Sequence, residues 1–161
     1  MKSNLSQLNE LIIISDNVRS AYNIGAIFRT LDGLGKGVRF YITGISPTPD
    51  NPKVHKTALD AEKSVPWKYF TKLSEAIISA EQEGFHIFAL EQSNQSQLYT
   101  QVKYPNKLAL IVGHEQWGVN EDIVEKYKCI EIPMLGIKES LNVEVATAIV
   151  SYFIAYQWQN Q

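Results

Sequence analysis

Three stretches of the chain join polar or charged side chains to glycines at the end of an apolar run. In Asn23-Ile-Gly-Ala-Ile-Phe-Arg29-Thr30 an arginine interrupts an otherwise apolar series. A permanently charged guanidinium in that place can hold an anion, or it can lay its stem along the core and pair with Asp32. In Ile111-Val-Gly113-His114-Glu115-Gln-Trp117-Gly118 a carboxylate stands between two glycines. An ordinary turn explains the glycines but not the crowding of His, Glu and Trp. In Ile132-Pro-Met-Leu-Gly136-Ile-Lys-Glu-Ser140-Leu141-Asn142-Val143, Ser140 and Asn142 can each cap a helix, while Gly136 lets backbone amides approach a ligand closely.

The elements that must position these stretches are legible from apolar periodicity. Residues 11–15 form a short β-rich run, and Ile24, Ile27, Phe28 and Leu31 then follow the i, i+3, i+4, i+7 spacing of a helix that Gly33 and Gly35 end. Residues 38–42 predict a second strand, and a Pro-rich stretch over 46–52 opens a basic segment, 53–72. A helix is predicted over 73–83 and a strand over 85–90. Another strand covers 107–112, a helix is capped by Asn120, a last strand covers 130–133, and a closing helix runs from 142 to about 158. Nearly continuous Val/Ile/Leu/Phe strands alternating with amphipathic helices predict an α/β fold, a mostly parallel sheet with helices on both faces. With no repeat and no Pro/Gly/Ser linker, residues 1–161 are expected to form one domain. In such sheets ligands gather beyond the carboxyl ends of strands, which directs attention to the loops near Ser15, Leu90, Gly113 and Pro133.

Several classes fall away. No run of apolar residues is long enough for a membrane span, and the polar stretch from Met1 to Glu10 lacks the apolar core of a signal peptide, so a cytoplasmic protein is expected. Cys129 is the single cysteine and is expected to be buried filler; His55, His86 and His114 share no ligand spacing, so no metal is expected. The turn after the first strand has no G-x-G-x-x-G, and neither a P-loop nor a G-x-S-x-G occurs. The formal net charge of −2 hides a segregation: residues 19–72 hold nine Lys and Arg against four Asp and Glu, and the remainder holds six against thirteen. Local clustering of cations, not total charge, neutralises phosphates.

Taken together, Asn23-x-G-A-I-x-Arg29-T, I-V-Gly113-x-Glu115-x-x-Gly118 and Ile132-P-M-x-Gly136-x-x-x-Ser140-L-Asn142-V resemble, in order and spacing, the three motifs of the SpoU (TrmH-like) RNA ribose 2'-O-methyltransferases of the SPOUT superfamily. They span most of the chain. The resemblance implies a C-terminal deep trefoil knot, which periodicity cannot reveal. It also implies S-adenosylmethionine as cofactor, bound at Leu90, Gly113, Ile132 and Leu141, and a two-fold homodimer to which the last helix contributes.

By the same likeness Arg29, Asn23, Glu115, Ser140 and Asn142 form the catalytic set. Methyl transfer from a sulfonium needs little help at the leaving group; the protonated hydroxyl is the difficulty. A guanidinium holds its proton too tightly to be a good base, which favours Arg29 as a stabiliser of the oxyanion or a clamp on the adjacent phosphate. Asn23 and Asn142 would orient the ribose and neighbouring groups, with Ser140 and Glu115 holding the site together. The expected partner is tRNA or rRNA, met by Arg19, Lys53, His55, Lys56 and Lys63, with Lys68, Lys72, Trp67 and Tyr69 nearby. The rival reading is a non-catalytic RNA-binding module on the same fold, which would not need Arg29, Glu115 and Asn142 together. Two departures from the commonest pattern are expected to matter: Glu144 stands where a small residue is frequent, and the RNA is expected to be met without a separate recognition domain ahead of the motifs.

Overall fold

The computed structural model describes residues 9–161; the N-terminal stretch read as lacking a signal peptide lies, through residue 8, outside the described residues. Strand β1 (Glu10–Asp16) leads to helix α1 (Ala21–Leu34), β2 (Val38–Thr43), α2 (Pro52–Ala58), α3 (Ala61–Ser64), β3 (Trp67–Phe70), α4 (Leu73–Gln82) and β4 (His86–Leu90). There follow β5 (Gln97–Leu98), a 3-10 turn (Tyr99–Gln101), β6 (Lys107–Val112), α5 (Glu121–Lys126), β7 (Lys128–Glu131) and α6 (Val143–Gln159). The seven strands form one sheet in the order β3-β2-β1-β6-β4-β7-β5, every pair parallel.

Alternation along β1 divides the core. Leu11 and Ile13 face a layer built on α1, α2 and α6, including Ile24, Ile27, Phe28, Leu31, Val54, Val150 and Ile154. Ile12 and Ile14 face the other side, against Ala76, Ile77 and Ala80 of α4, with Ile123 and Val124 of α5 at its edge. Both faces of the sheet are thus covered, the condition that makes its strands apolar on both sides. The apolar stripe of α1 is buried as its spacing predicts, and Ser20 caps it by accepting from the Asn23 backbone N–H.

The basic segment holds structure that the sequence did not disclose: α2, α3 and β3. Strand β3 lies at the sheet edge with Lys68 and Tyr69 exposed and Trp67 and Phe70 half-buried, so it carries neither alternation nor a continuous apolar run. Trp67 packs against the core, while the Tyr69 hydroxyl donates to the Gly44 carbonyl at 2.8 Å. Helix α2 crosses α1 closely at Gly25, where a Cβ would lie 2.0 Å from Thr57 Oγ1 and 2.3 Å from the Val54 carbonyl oxygen. The glycine of the first motif is therefore what seats the basic segment on α1. The final strand ends at Glu131, two residues short of its predicted end, because Pro133 has no N–H for a ladder. Among the described residues no helix is long and apolar enough to cross a membrane.

Candidate active site

Strands β6, β4 and β7 are neighbours, so the loops leaving their carboxyl ends meet at one edge of the sheet. Between them lies a cavity of about 570 Å³, within the usual range for a small-molecule site. All four residues expected at a cofactor, Leu90, Gly113, Ile132 and Leu141, line it, together with Glu115, Ser140 and Asn142. Gly113 is required by packing: a Cβ there would stand 2.2 Å from the Gly118 carbonyl carbon and 2.3 Å from the Val119 nitrogen. Because both atoms are backbone, they cannot turn aside as a side chain would. Gly113→Ala should therefore push the 113–119 loop open and weaken binding of S-adenosylmethionine about fivefold or more by calorimetry, the consequence of about 1–3 kcal/mol of overpacking.

Glu115 is the hub of the polar part. Its Oε1 accepts the Ser20 backbone N–H at 3.0 Å and Asn23 Nδ2 at 2.9 Å, and its Oε2 accepts the Arg19 backbone N–H at 3.0 Å. Burial pushes the carboxyl's pKa up, but the bonds from Asn23, Ser20, its own backbone N–H and Arg19 outweigh that effect and hold it below the usual value. Asn142 Nδ2 donates to Asn23 Oδ1 at 3.2 Å, while Asn142 Oδ1 accepts the Glu144 and Val145 backbone N–H groups. Asn142 is thus both the cap of α6 and a member of the site, and each role fixes the other. Thr30 Oγ1 donates to Glu144 Oε1 at 2.9 Å, which gives the unusual glutamate a partner on α1.

Arg29 stands apart. Six residues separate it from Asn23 on one continuous helix, about 120° around the axis, so Asn23 turns inward to the hub and Arg29 is exposed. Asp32 bonds Ser64 Oγ instead of Arg29, and among the described residues Arg29 forms no hydrogen bond or ion pair. Of the basic set, Lys63 Nζ pairs with Asp60 at 2.7 Å and His55 Nδ1 with Glu62, while Arg19, Lys53 and Lys56 are exposed cations. Although the sequence offered no metal spacing, the α2–α3 turn brings His55, Asp60 and Glu62 within 4.8 Å of one another.

Glu91 was not singled out from the sequence. Its Oε2 accepts the Val119 backbone N–H at 2.9 Å and its Oε1 the Gln92 N–H at 2.9 Å, tying the loop after β4 to the loop after β6. An acidic residue directly after a predicted strand was the available signal. With Glu115, Glu131 and Glu139 it gives the cavity four carboxylates, and among the described residues no lysine or arginine lines it.

The SpoU rRNA Methylase family matches residues 10–152, nearly the whole described chain. The chain belongs to that family. A tRNA (guanosine(18)-2'-O)-methyltransferase of Thermus thermophilus is 31% identical over 144 residues, 89% of this chain and 73% of that one. The crystal structure of the A. aeolicus TrmH/SpoU tRNA modifying enzyme superposes with a TM-score of 0.82 at 31% identity, covering 98% of this chain and 80% of that one. The SpoU methyltransferase AviRb from Streptomyces viridochromogenes, solved with the cofactor AdoMet, shares the fold at a TM-score of 0.84 and 21% identity; the chain covers 58% of its length.

SpoU members use S-adenosylmethionine, and the cavity fits that group on its own chemistry. Apolar walls from Leu90, Val112, Ile132 and Leu141 suit a purine, and an acidic lining favours a sulfonium cation while repelling the phosphates of a dinucleotide or nucleoside triphosphate.

Proposed function

We propose that this chain transfers a methyl group from S-adenosylmethionine to a ribose 2'-hydroxyl of tRNA or rRNA. The observation that carries this reading is the Glu115–Asn23–Asn142 network set at the mouth of an acidic, apolar-walled cavity, both built from the family's motif residues. A binding module would need the cations alone, so the network favours the enzyme.

Leu90, Gly113, Ile132 and Leu141 would hold the cofactor, which when bound supplies an electrophilic methyl group on a good leaving group. The chain's remaining task is the hydroxyl. The Arg29 guanidinium holds the anion developing on the ribose oxygen and the neighbouring phosphate. Asn23, bonded to both Glu115 and Asn142, and Asn142 beside it orient the sugar without adding charge, and Ser140 completes the rim.

Arg19, Lys53 and Lys56 supply the RNA-facing charge, with His55 and Lys63 moderated by their acidic partners. The protein is cytoplasmic and acts as a two-fold dimer. Along α6, Val145, Ile149, Tyr152 and Tyr156 lie exposed at spacings of four, three and four, one continuous stripe. Phe153 and Trp158 of the same helix instead pack into the chain's own core. Family membership supports a trefoil knot in the C-terminal part of the chain. Consistent with close passage of the two stretches, Gln92 Nε2 donates to the Glu139 carbonyl at 3.1 Å, and the Glu91 N–H to that of Ile130 at 3.0 Å.

The deciding experiment is mass spectrometry of nucleosides from tRNA and rRNA of cells with and without the protein, followed by transfer in vitro. One 2'-O-methyl nucleoside should vanish without it and return on addition of protein and cofactor, with RNA affinity falling as salt rises. Unchanged nucleosides, or affinity indifferent to salt, would remove the reading.

A further inference from the structure

We infer that Trp117, backed by His114, is a stacking platform for an unpaired base of the RNA at the mouth of the cavity. This rests on the methyltransferase reading and adds the element that grips the base. The Trp117 indole is 73% exposed, whereas Trp158 is buried and Trp67 packs half-buried on the core. The His114 ring stacks on it, with centroids 4.4 Å apart and planes at 28°.

The pair is held before any ligand arrives. His114 Nδ1 accepts the backbone N–H groups of Gln116 at 3.0 Å and Trp117 at 3.4 Å, which assigns the proton to Nε2. The loop is closed on itself by His114 N–H to the Gly118 carbonyl at 3.1 Å and Gly118 N–H to the His114 carbonyl at 2.8 Å. Glu115, between the two residues in sequence, anchors the same loop to the start of α1. A rigid loop thus presents an aromatic ring that need not be ordered on binding, the arrangement that favours stacking of a splayed base.

Position and surroundings choose the occupant. Both rings line the cavity into which the reactive ribose must reach, so a base attached to that ribose or its neighbour passes beside them. Around Trp117 the chain is polar, with Gln116, Asn120 and Glu121, unlike the continuous apolar stripe that α6 offers to a second copy. Every base has a π face, so such a platform adds grip with little choice of sequence.

The test is titration of the protein with single-stranded oligoadenylate of about twelve nucleotides and with an abasic oligomer of equal length. Oligoadenylate should quench the indole emission and the abasic chain should not, and the quench should disappear in Trp117→Phe. Trp117→Ala should lower kcat/KM for the RNA about tenfold, and Trp117→Phe should restore most of it. Three results would overturn the inference: equal quenching by the abasic chain, unaltered kcat/KM in Trp117→Ala, or Trp117 shielded from acrylamide before RNA is added, as a covering second copy would do. Absence of methyl transfer by the unaltered protein would count against the enzyme assignment, while the oligoadenylate quench reads the platform separately.

Discussion

Arg29→Lys is expected to lower the rate of methyl transfer by about a hundredfold or more and to leave both the fold and cofactor affinity intact. Lysine keeps the charge but loses the planar fork that can meet an oxyanion and a phosphate oxygen together. The position makes this an unusually clean comparison. Arg29 is exposed, has no partner among the described residues and is absent from the cavity wall, so its loss should change stability by no more than about 0.5 kcal/mol. Single-turnover rates at saturating RNA, read beside thermal unfolding and calorimetry with S-adenosylmethionine, separate the possibilities. A near-normal rate would mean that the guanidinium is a surface group and that the oxyanion is held elsewhere.

Glu115→Ala is the second large effect, and here stability and turnover should fall together. The carboxylate accepts three bonds from the start of α1, and the Asn23 amide among its donors is buried. Water can replace the partner of the exposed Arg19 N–H, but the Asn23 amide would be left unpaired, a loss of about 1–3 kcal/mol. Asn23 then loses its orientation and Asn142 its neighbour, so turnover should drop by more than the about tenfold that 1.4 kcal/mol represents. Glu115→Gln keeps the shape and should recover part of the stability, while presenting its own N–H groups to donors.

Acid provides an independent check on the same residue. Because the folded state holds the Glu115 pKa below the ordinary carboxylate value, its contribution to stability is complete above that ordinary value. It is lost as pH falls through the depressed folded value. Denaturant unfolding between about pH 7 and pH 3 should therefore show the gap between wild type and Glu115→Gln closing toward acid. A gap that stays constant would mean that the carboxylate is not held ionised by the N–H groups around it.

Much of the frame could be read before any coordinates. The stripe Ile24, Ile27, Phe28 and Leu31 announced α1, and the continuous apolar runs at 11–15 and 107–112 announced strands buried on both faces, because burial selects residue type directly. The α2–α3–β3 region escaped notice for the opposite reason. Its two short helices and an edge strand bury few side chains, and a chain that buries little prints little periodicity. Of the site, the motif residues were legible by type and order, whereas Glu91 and the His114–Trp117 stack were not. Glu91 acts through a contact between loops that are near each other only in space, and the stack depends on how the 114–118 turn closes on itself.

The amino-acid sequence by itself determined which groups are available: a carboxylate between two glycines, an arginine on an apolar helix, an asparagine able to cap the last one. Tertiary structure decided their addresses. Glu115 meets Asn23 across 92 residues, and Asn142 meets Asn23 across 119, only because β6 pairs beside β1 and α6 packs on α1. The same helix that carries Asn23 into this network turns Arg29 out to solvent, a separation fixed by 3.6 residues per turn. Side-chain chemistry is a local property of the chain. Convergence is a property of strand order, which no single segment encodes.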